Sequence, residues 1–358
     1  MRLLQDFLDR SKQLNQTSSL RRHPAYHAPN KKYKIIHQAL ILPNLPAPLH
    51  YLNFFSILGQ PSIPILRNSD AIRTSALDTA TTLCSSSLHQ VGQLKSYSIQ
   101  QDCQFLEGSF QFGQYEKLIG DFPAFVLRRQ DSELSLDLKI KTLPLISHFA
   151  QLRFSMAEHW SMMCHCEGII QHQDIQYEIT GLGSFEYARS YNFPYLPIVF
   201  FTYQMINLQH DRQIILAHIR DQTNRVIQSR IYLRDLRAQR NRLFDRQVFF
   251  KVHRLYPAIV TPNGQKMYLP REFEWCCADQ DGTKIWIGGQ SRGDFKFGLG
   301  AGYVGSFSYE IRIDGENETG EGGYMEYVDC RRLCYQEQDK DHKLQQKLAN
   351  PVPFMLKK

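Results

Sequence analysis

Two short stretches set a carboxylate among aromatic residues directly after a run of glycines: ITGLGSFEYA (179–188), with Glu186, and ETGEGGYMEYV (318–328), with Glu326. Both read Thr-Gly-x-Gly-x-aromatic and then an acid followed by Tyr, the second with one residue inserted before the acid. In the first, Ser184, Glu186 and Ala188 alternate with Phe185, Tyr187 and Arg189, as on a strand. A carboxyl turned into an apolar interior has its pKa raised by desolvation and becomes a general acid near neutral pH. The competing use is a structural ion pair with Arg189 or another arginine.

The segment AEHWSMMCHCEGIIQH (157–172) concentrates His159, Cys164, His165, Cys166 and His172. Strand alternation puts His159 and His165 on one face and Cys164 and Cys166 on the other with Trp160 and Met162, so this strand alone forms no compact set of four metal ligands. No metal is expected, and the Trp, Met and Cys face reads as core. Nucleophilic catalysis has little support, because there is no Gly-x-Ser-x-Gly elbow and the cysteines lack an adjacent base pattern that would mark a thiolate. The glycine cluster Gly288 to Gly305 carries neither a dinucleotide fingerprint nor a P-loop lysine, so no cofactor is expected. It reads as a loop and bulge region at a barrel rim, with a mobile gate as the functional alternative.

The elements that must position these groups are strands. From Lys34 onward, short segments rich in Val, Ile, Tyr and Phe are separated by Gly, Pro, Asn and Asp at intervals of roughly ten residues, the pattern of antiparallel sandwiches and barrels. Asp281-Gly282 and Asn263-Gly264 are hairpin signals. LSLDLKIK (134–141) alternates apolar and polar residues, which gives one buried and one wet face. About 15 or more such strands exceed one small barrel but suit two packed barrels or sandwiches, with the seam at Asn192 to Pro197. The glycines of the two echoed motifs suit a bulge or a close backbone crossing at a barrel mouth. Helical periodicity is confined to Leu3–Leu14 and Lys340–Leu348.

Composition agrees with a globular chain: of 358 residues, 42% are hydrophobic and 22% charged, which excludes disordered and collagen-like classes. No apolar run approaches the ~20 residues of a membrane-spanning helix. Asp6 and Asp9 interrupt the N-terminal apolar residues and no cleavage site follows, so a cytoplasmic address is expected, with the eight cysteines reduced. The net charge of +7 is local, since residues 220–254 hold nine Arg and one Lys against three Asp, or 10 − 3 = +7. No nucleic-acid module surrounds that stretch, which leaves a solvated face of strands or a transient contact of Arg220–Arg254 with anionic membrane headgroups.

At its two glycine motifs the chain resembles the lipocalin-like family that includes carotenoid hydratase (hydroxyneurosporene synthase), tocopherol cyclase and the lipocalin-type pericyclases. GEGGYMEYVDC (320–330) is similar to the family's final Gly-x-Gly-Tyr-x-Glu strand, GLGSFEYARSY (181–191) to its central glycine-rich strand ending in an acid, and LHYLNFFSILG (49–59) to its first aromatic-rich strand. The resemblance runs from about Lys34 to Arg332. It implies an all-β fold of two tandem lipocalin-like, calycin-type antiparallel β-barrels with short terminal helices. The divisions are an N-terminal helical extension (1–33), a first barrel (34–192), a second barrel (193–335) and a tail (336–358). It further implies a pocket for a hydrophobic small molecule, isoprenoid-, polyketide- or lipid-like, with acid-catalysed hydration, cyclisation or isomerisation of the lyase or isomerase type. Glu186 takes the catalytic position. His159, Trp160, Phe185, Tyr187, Tyr191, Tyr324 and Glu326 take substrate-binding positions. Ser184 stands where the family carries an aromatic two residues before the acid, and Arg189 stands near its usual tryptophan. A non-catalytic carrier or sensor of lipid or fatty acid is the alternative use of the same barrels.

Overall fold

The computed structural model describes residues 9–16, 24, 26–88, 91–132, 134–193 and 195–337. A short helix α1 (Ser11–Gln16) precedes the sheets. The rest of the expected N-terminal helix and the one expected at Lys340–Leu348 lie outside the described residues. The first half contributes β1 (Ile35–Pro43), β2 (Tyr51–Leu58), β3 (Thr79–Ser86), β4 (Lys95–Ser98), β5 (Cys103–Leu106), β6 (Ser109–Phe112), β7 (Glu116–Asp121), β8 (Ala124–Arg129), β9 (Ser135–Gln151), β10 (Ala157–His172) and β11 (Ile175–Ser190). The second contributes β12 (Ile198–Leu208), β13 (Arg212–Asp221), β14 (Val226–Asp235), β15 (Arg240–Phe244), β16 (Val248–Leu255), β17 (Ile259–Val260), β18 (Lys266–Met267), β19 (Pro270–Ala278), β20 (Lys284–Ser291), β21 (Lys296–Leu299), β22 (Gly302–Ile313) and β23 (Glu316–Asp329).

Most of these strands form two antiparallel sheets, in the order β4-β3-β2-β1-β11-β10-β9-β8-β7-β6-β5 and β15-β14-β13-β12-β23-β22-β20-β19-β16, with β21 paired to β22 beside the second and β17 with β18 as a separate two-stranded sheet. The fold is therefore the expected all-β pair of barrels. In each half the first strand pairs with the last, β1 with β11 and β12 with β23, and each closing strand carries one glycine motif. The ends of the first sheet meet through side chains: Tyr97 of β4 lies 6.4 Å from Phe112 of β6, and Glu116 of β7 accepts hydrogen bonds from Thr82 of β3 and Arg129 of β8. Local chemistry follows the pattern of the sequence. Leu136, Leu138 and Ile140 of β9 are buried while Asp137, Lys139 and Lys141 are exposed, and the turn at Asp281-Gly282 joins β19 to β20 with Gly282 at φ +92°.

Three apolar layers result. One fills the first barrel, one fills the second, and the third lies between them, where Ala39, Ile41, Phe55 and Ile57 of β1 and β2 meet Tyr203, Met205, Tyr324 and Val328 of β12 and β23. The two central strand pairs thus stand back to back. Gly322 is placed where the backbones nearly touch: a Cβ there would lie 2.6 Å from Asn44 Cα and 2.8 Å from the His50 carbonyl, and Asn44 N–H donates to the Gly322 carbonyl at 2.7 Å. Gly322→Ala should cost about 1–3 kcal/mol in urea unfolding because backbone must shift to admit the methyl group. Gly181→Ala, with nothing within 4 Å of the added carbon, should cost nothing measurable. Equal effects at the two positions would refute the close-crossing account.

Each cysteine is free, and burial pushes thiols such as Cys166 up to about 12, away from the thiolate form. The β21–β22 hairpin of the glycine cluster is docked on the first barrel, with Ala301 N–H donating to the Ile65 carbonyl at 3.1 Å. Among the described residues, no helix is long and apolar enough to cross a membrane.

Candidate functional site

The pairing register assembles a site from three neighbouring strands. His37 of β1 faces Ala188 of β11 across the ladder, and Ala188 in turn faces His159 of β10. Because Ala188 is small, the two imidazoles approach over it, their ring centroids 5.8 Å apart and nearly perpendicular. Glu186 sits two residues along β11, on the same face, with its Oε2 3.5 Å from His159 Nε2. His37 Nδ1 lies 3.0 Å from the Ser56 carbonyl, which fixes Nδ1 as the protonated nitrogen and leaves Nε2 with its lone pair. One donor atom from each of His37, His159 and Glu186 falls within 4.8 Å of the others.

The second barrel completes the site from the other side. Tyr203 of β12 donates its hydroxyl to Glu186 Oε1 at 2.6 Å, and its Cα partner across the ladder is Glu326 of β23. Tyr324 donates to Glu326 Oε1 at 2.9 Å and accepts from Asn53 Nδ2 at 3.2 Å. The acids of the two echoed motifs therefore meet in the layer between the barrels, each holding a tyrosine hydroxyl. Phe149 packs edge-on against His159 at 4.8 Å and Phe55 against His37 at 5.9 Å, so the walls are aromatic. His159, with 30% of its side chain exposed, marks the opening to solvent.

The two carboxyls ionise differently. Burial pushes both up. At Glu186 the His159 contact and the Tyr203 hydroxyl outweigh burial and hold its carboxyl below the ordinary value. At Glu326 burial and the charge of Glu186 prevail over the Tyr324 hydrogen bond, and its carboxyl is pushed up to about 8. At neutral pH Glu186 is an anion and Glu326 a protonated acid. His37 is held neutral, since burial and the neighbouring His159 lower it to about 4. Arg234 of β14 closes the floor. This fully buried guanidinium donates to Ser147 Oγ, Ser184 Oγ and Gln213 Oε1, each at 3.0 Å, and to the Ser161 carbonyl at 2.7 Å.

The structure divides the residues expected from the sequence. His159, Glu186, Tyr324 and Glu326 come together. Trp160, Phe185 and Tyr187 point the opposite way, into the first barrel, where the Tyr26 ring sits 5.8 Å from Phe185 and 5.3 Å from Tyr187 and helps fill the lumen. Alternation forces this split, because neighbours of Glu186 in sequence occupy the other face of β11. Tyr191 packs on Tyr33 at 5.4 Å beneath the Lys32 ammonium. Arg189 does not pair with Glu186; its Nε meets Glu158 at 2.6 Å. The acid expected to be raised by desolvation is Glu326 rather than Glu186, because only Glu186 has imidazoles beside it.

His37, Tyr203 and Arg234 were not singled out by sequence. The one signal for His37 was a polar pair, His37-Gln38, inside the apolar run IIHQALILP. Elsewhere in the basic stretch, Arg230 reaches Ser11 and the Phe149 carbonyl, while Arg237, Arg242 and Arg254 pair with Asp211, Asp281 and Glu272. A separate cleft of about 650 Å³ is lined by Ser87, Val91, Gln93, Asp294, Phe295 and Lys296 and includes none of the expected site residues.

Solved structures share this architecture. An AttH candidate from Nitrosomonas europaea is similar over 83% of this chain and 93% of its own, at 15% identity and a TM-score of 0.58. Kievitone hydratase from Nectria haematococca is similar over 83% of this chain and 89% of its own, at 9% identity and a TM-score of 0.55. At such identities the likeness is one of fold. No curated protein matches the chain. The sequence match is to a family without an assigned role, and over residues 55–343 the chain belongs to that family of unknown function, DUF6670.

Proposed function

We propose that this protein is an acid–base catalyst of the hydratase or cyclase kind, acting on a hydrophobic, isoprenoid- or polyketide-like molecule bound between the two barrels. The observation that carries the reading is the pair of buried carboxyls, one from each barrel, held in opposite ionisation states. Such a split assigns roles: the protonated acid donates and the anion accepts. Glu326 delivers its proton to a carbon–carbon double bond, and the aromatic walls stabilise the cation that forms. Glu186 then takes a proton from water in a hydration, or from a neighbouring carbon in an isomerisation or cyclisation. Tyr324 and Tyr203 orient the two carboxyls throughout. The shared fold with a protein named as a hydratase supports this direction, as does the resemblance of the glycine motifs to the carotenoid hydratase family.

The test reads the acid directly. Difference infrared spectroscopy of the unmodified protein at pH 7 should contain the carbonyl band of a buried protonated carboxyl that titrates away near pH 8 and is missing in Glu326→Gln. Absence of that band, or its persistence in the variant, would remove the proton donor and with it the catalytic reading. The carrier reading would then stand, and mass spectrometry of ligand copurifying with the protein would identify the cargo class.

A further inference from the structure

We propose that His37, His159 and Glu186 form a binding site for one divalent first-row transition-metal cation, of which Zn²⁺ is the representative. The inference concerns the same layer as the proposed function and shares Glu186 with it, but it does not depend on Glu326. Two imidazoles and one carboxylate are a donor set that suits such cations, leaving a coordination position open for water.

The geometry supports it in four respects. Ligands bound at about 2.0–2.1 Å in a tetrahedron stand about 3.3 Å from one another. The His159 Nε2 to Glu186 Oε2 separation is 3.5 Å, too long for a good hydrogen bond yet close to that spacing. Next, His159 Nε2 is a buried atom that makes no well-formed hydrogen bond and faces the Glu186 carboxylate across that gap.

The supporting groups also match what metal ligands require. A ligating imidazole normally donates its other N–H to a carbonyl or carboxylate, as His37 Nδ1 does to the Ser56 carbonyl, and a ligating carboxylate is itself hydrogen-bonded, as Glu186 Oε1 is by Tyr203. Finally, Ala188 occupies the rung between the two histidines, and its side chain there is only a methyl group.

The experiment uses the full chain, stripped with chelator and titrated with ZnCl₂ against a chromophoric competitor, with Co²⁺ as a spectroscopic probe. One Zn²⁺ per chain is expected. His37→Gln and His159→Gln should each weaken binding at least 10-fold, and Tyr203→Phe should weaken it by about 10–100-fold through loss of the supporting hydrogen bond. His165→Gln, an exposed histidine on the same strand, should bind as the unmodified chain does. Glu326→Gln should also bind normally while losing the infrared band described above, so the metal site and the proton donor fail separately. Co²⁺ should give the intense visible bands of a four-coordinate site. Binding that survives in the His37→Gln, His159→Gln double variant would overturn the proposal. If either variant does not fold, weak octahedral Co²⁺ bands in the unmodified protein would overturn it equally.

Discussion

Glu326→Gln should make the protein more stable relative to the unmodified chain as pH rises from about 5.5 to 8, by about 2–4 kcal/mol over that range. The cause is the elevated Glu326 carboxyl, about 8 in the folded chain against an ordinary value of 4.5. Between those values the folded state holds a proton that the unfolded state has released, so the folded state loses about 1.4 kcal/mol for each unit of pH increase. The stabilising proton is fully retained below 4.5 and lost as pH passes through 8. His37, lowered to about 4, works in the opposite sense between 4 and 6.5, because there it is the unfolded chain that binds the extra proton. Only the difference between variant and unmodified protein isolates Glu326. Gln keeps the shape and still accepts the Tyr324 hydroxyl. Urea unfolding across the pH range measures the effect, and a flat difference would show that Glu326 ionises like any surface acid. If the protein catalyses as proposed, the same substitution should lower kcat by roughly 10²–10⁴-fold with KM little changed.

Arg234→Met should be the most destabilising single change at the seam, by about 3–5 kcal/mol. Methionine fills much of the volume, but it withdraws donors from Ser147, Ser184, Gln213 and the Ser161 carbonyl together. Three of those partners lie in the first barrel while Arg234 lies in the second, so the loss falls on docking rather than on either barrel's own core. Unfolding of the variant followed by tryptophan fluorescence, with Trp160 in one barrel and Trp275 in the other, should separate into two transitions. A single transition at the original denaturant midpoint would rule out Arg234 as the latch.

What the sequence disclosed follows from what its local pattern can encode. Alternation in LSLDLKIK, the turn at Asp281-Gly282 and the glycine echo all concern residues within a few positions of one another, and each describes the structure correctly. The echo even marks the two closing strands. Alternation also states that Glu186 and Phe185 must part company, but not which face looks outward. That depends on what packs against β11, and the answer is a second barrel whose nearest strand begins at Ile198. His37 reaches His159 only through the β1–β11–β10 ladder, and no spacing along the chain encodes that register. The ionisation of Glu186 went unread for the same reason, since its imidazole and phenol neighbours arrive from three other strands.

The back-to-back placement of β1 and β2 against β12 and β23 makes the proposed chemistry a property of the join and not of either half. Separated from its partner, the second barrel would open Glu326 to water, while the first would keep His159 beside Glu186 but lose the Tyr203 hydroxyl, and the difference between donor and acceptor would shrink. If the protein catalyses as proposed, slight parting of the seam would therefore abolish activity while both barrels remained intact. Such a molecule can be silenced by anything that wedges the halves apart, with no reacting group altered.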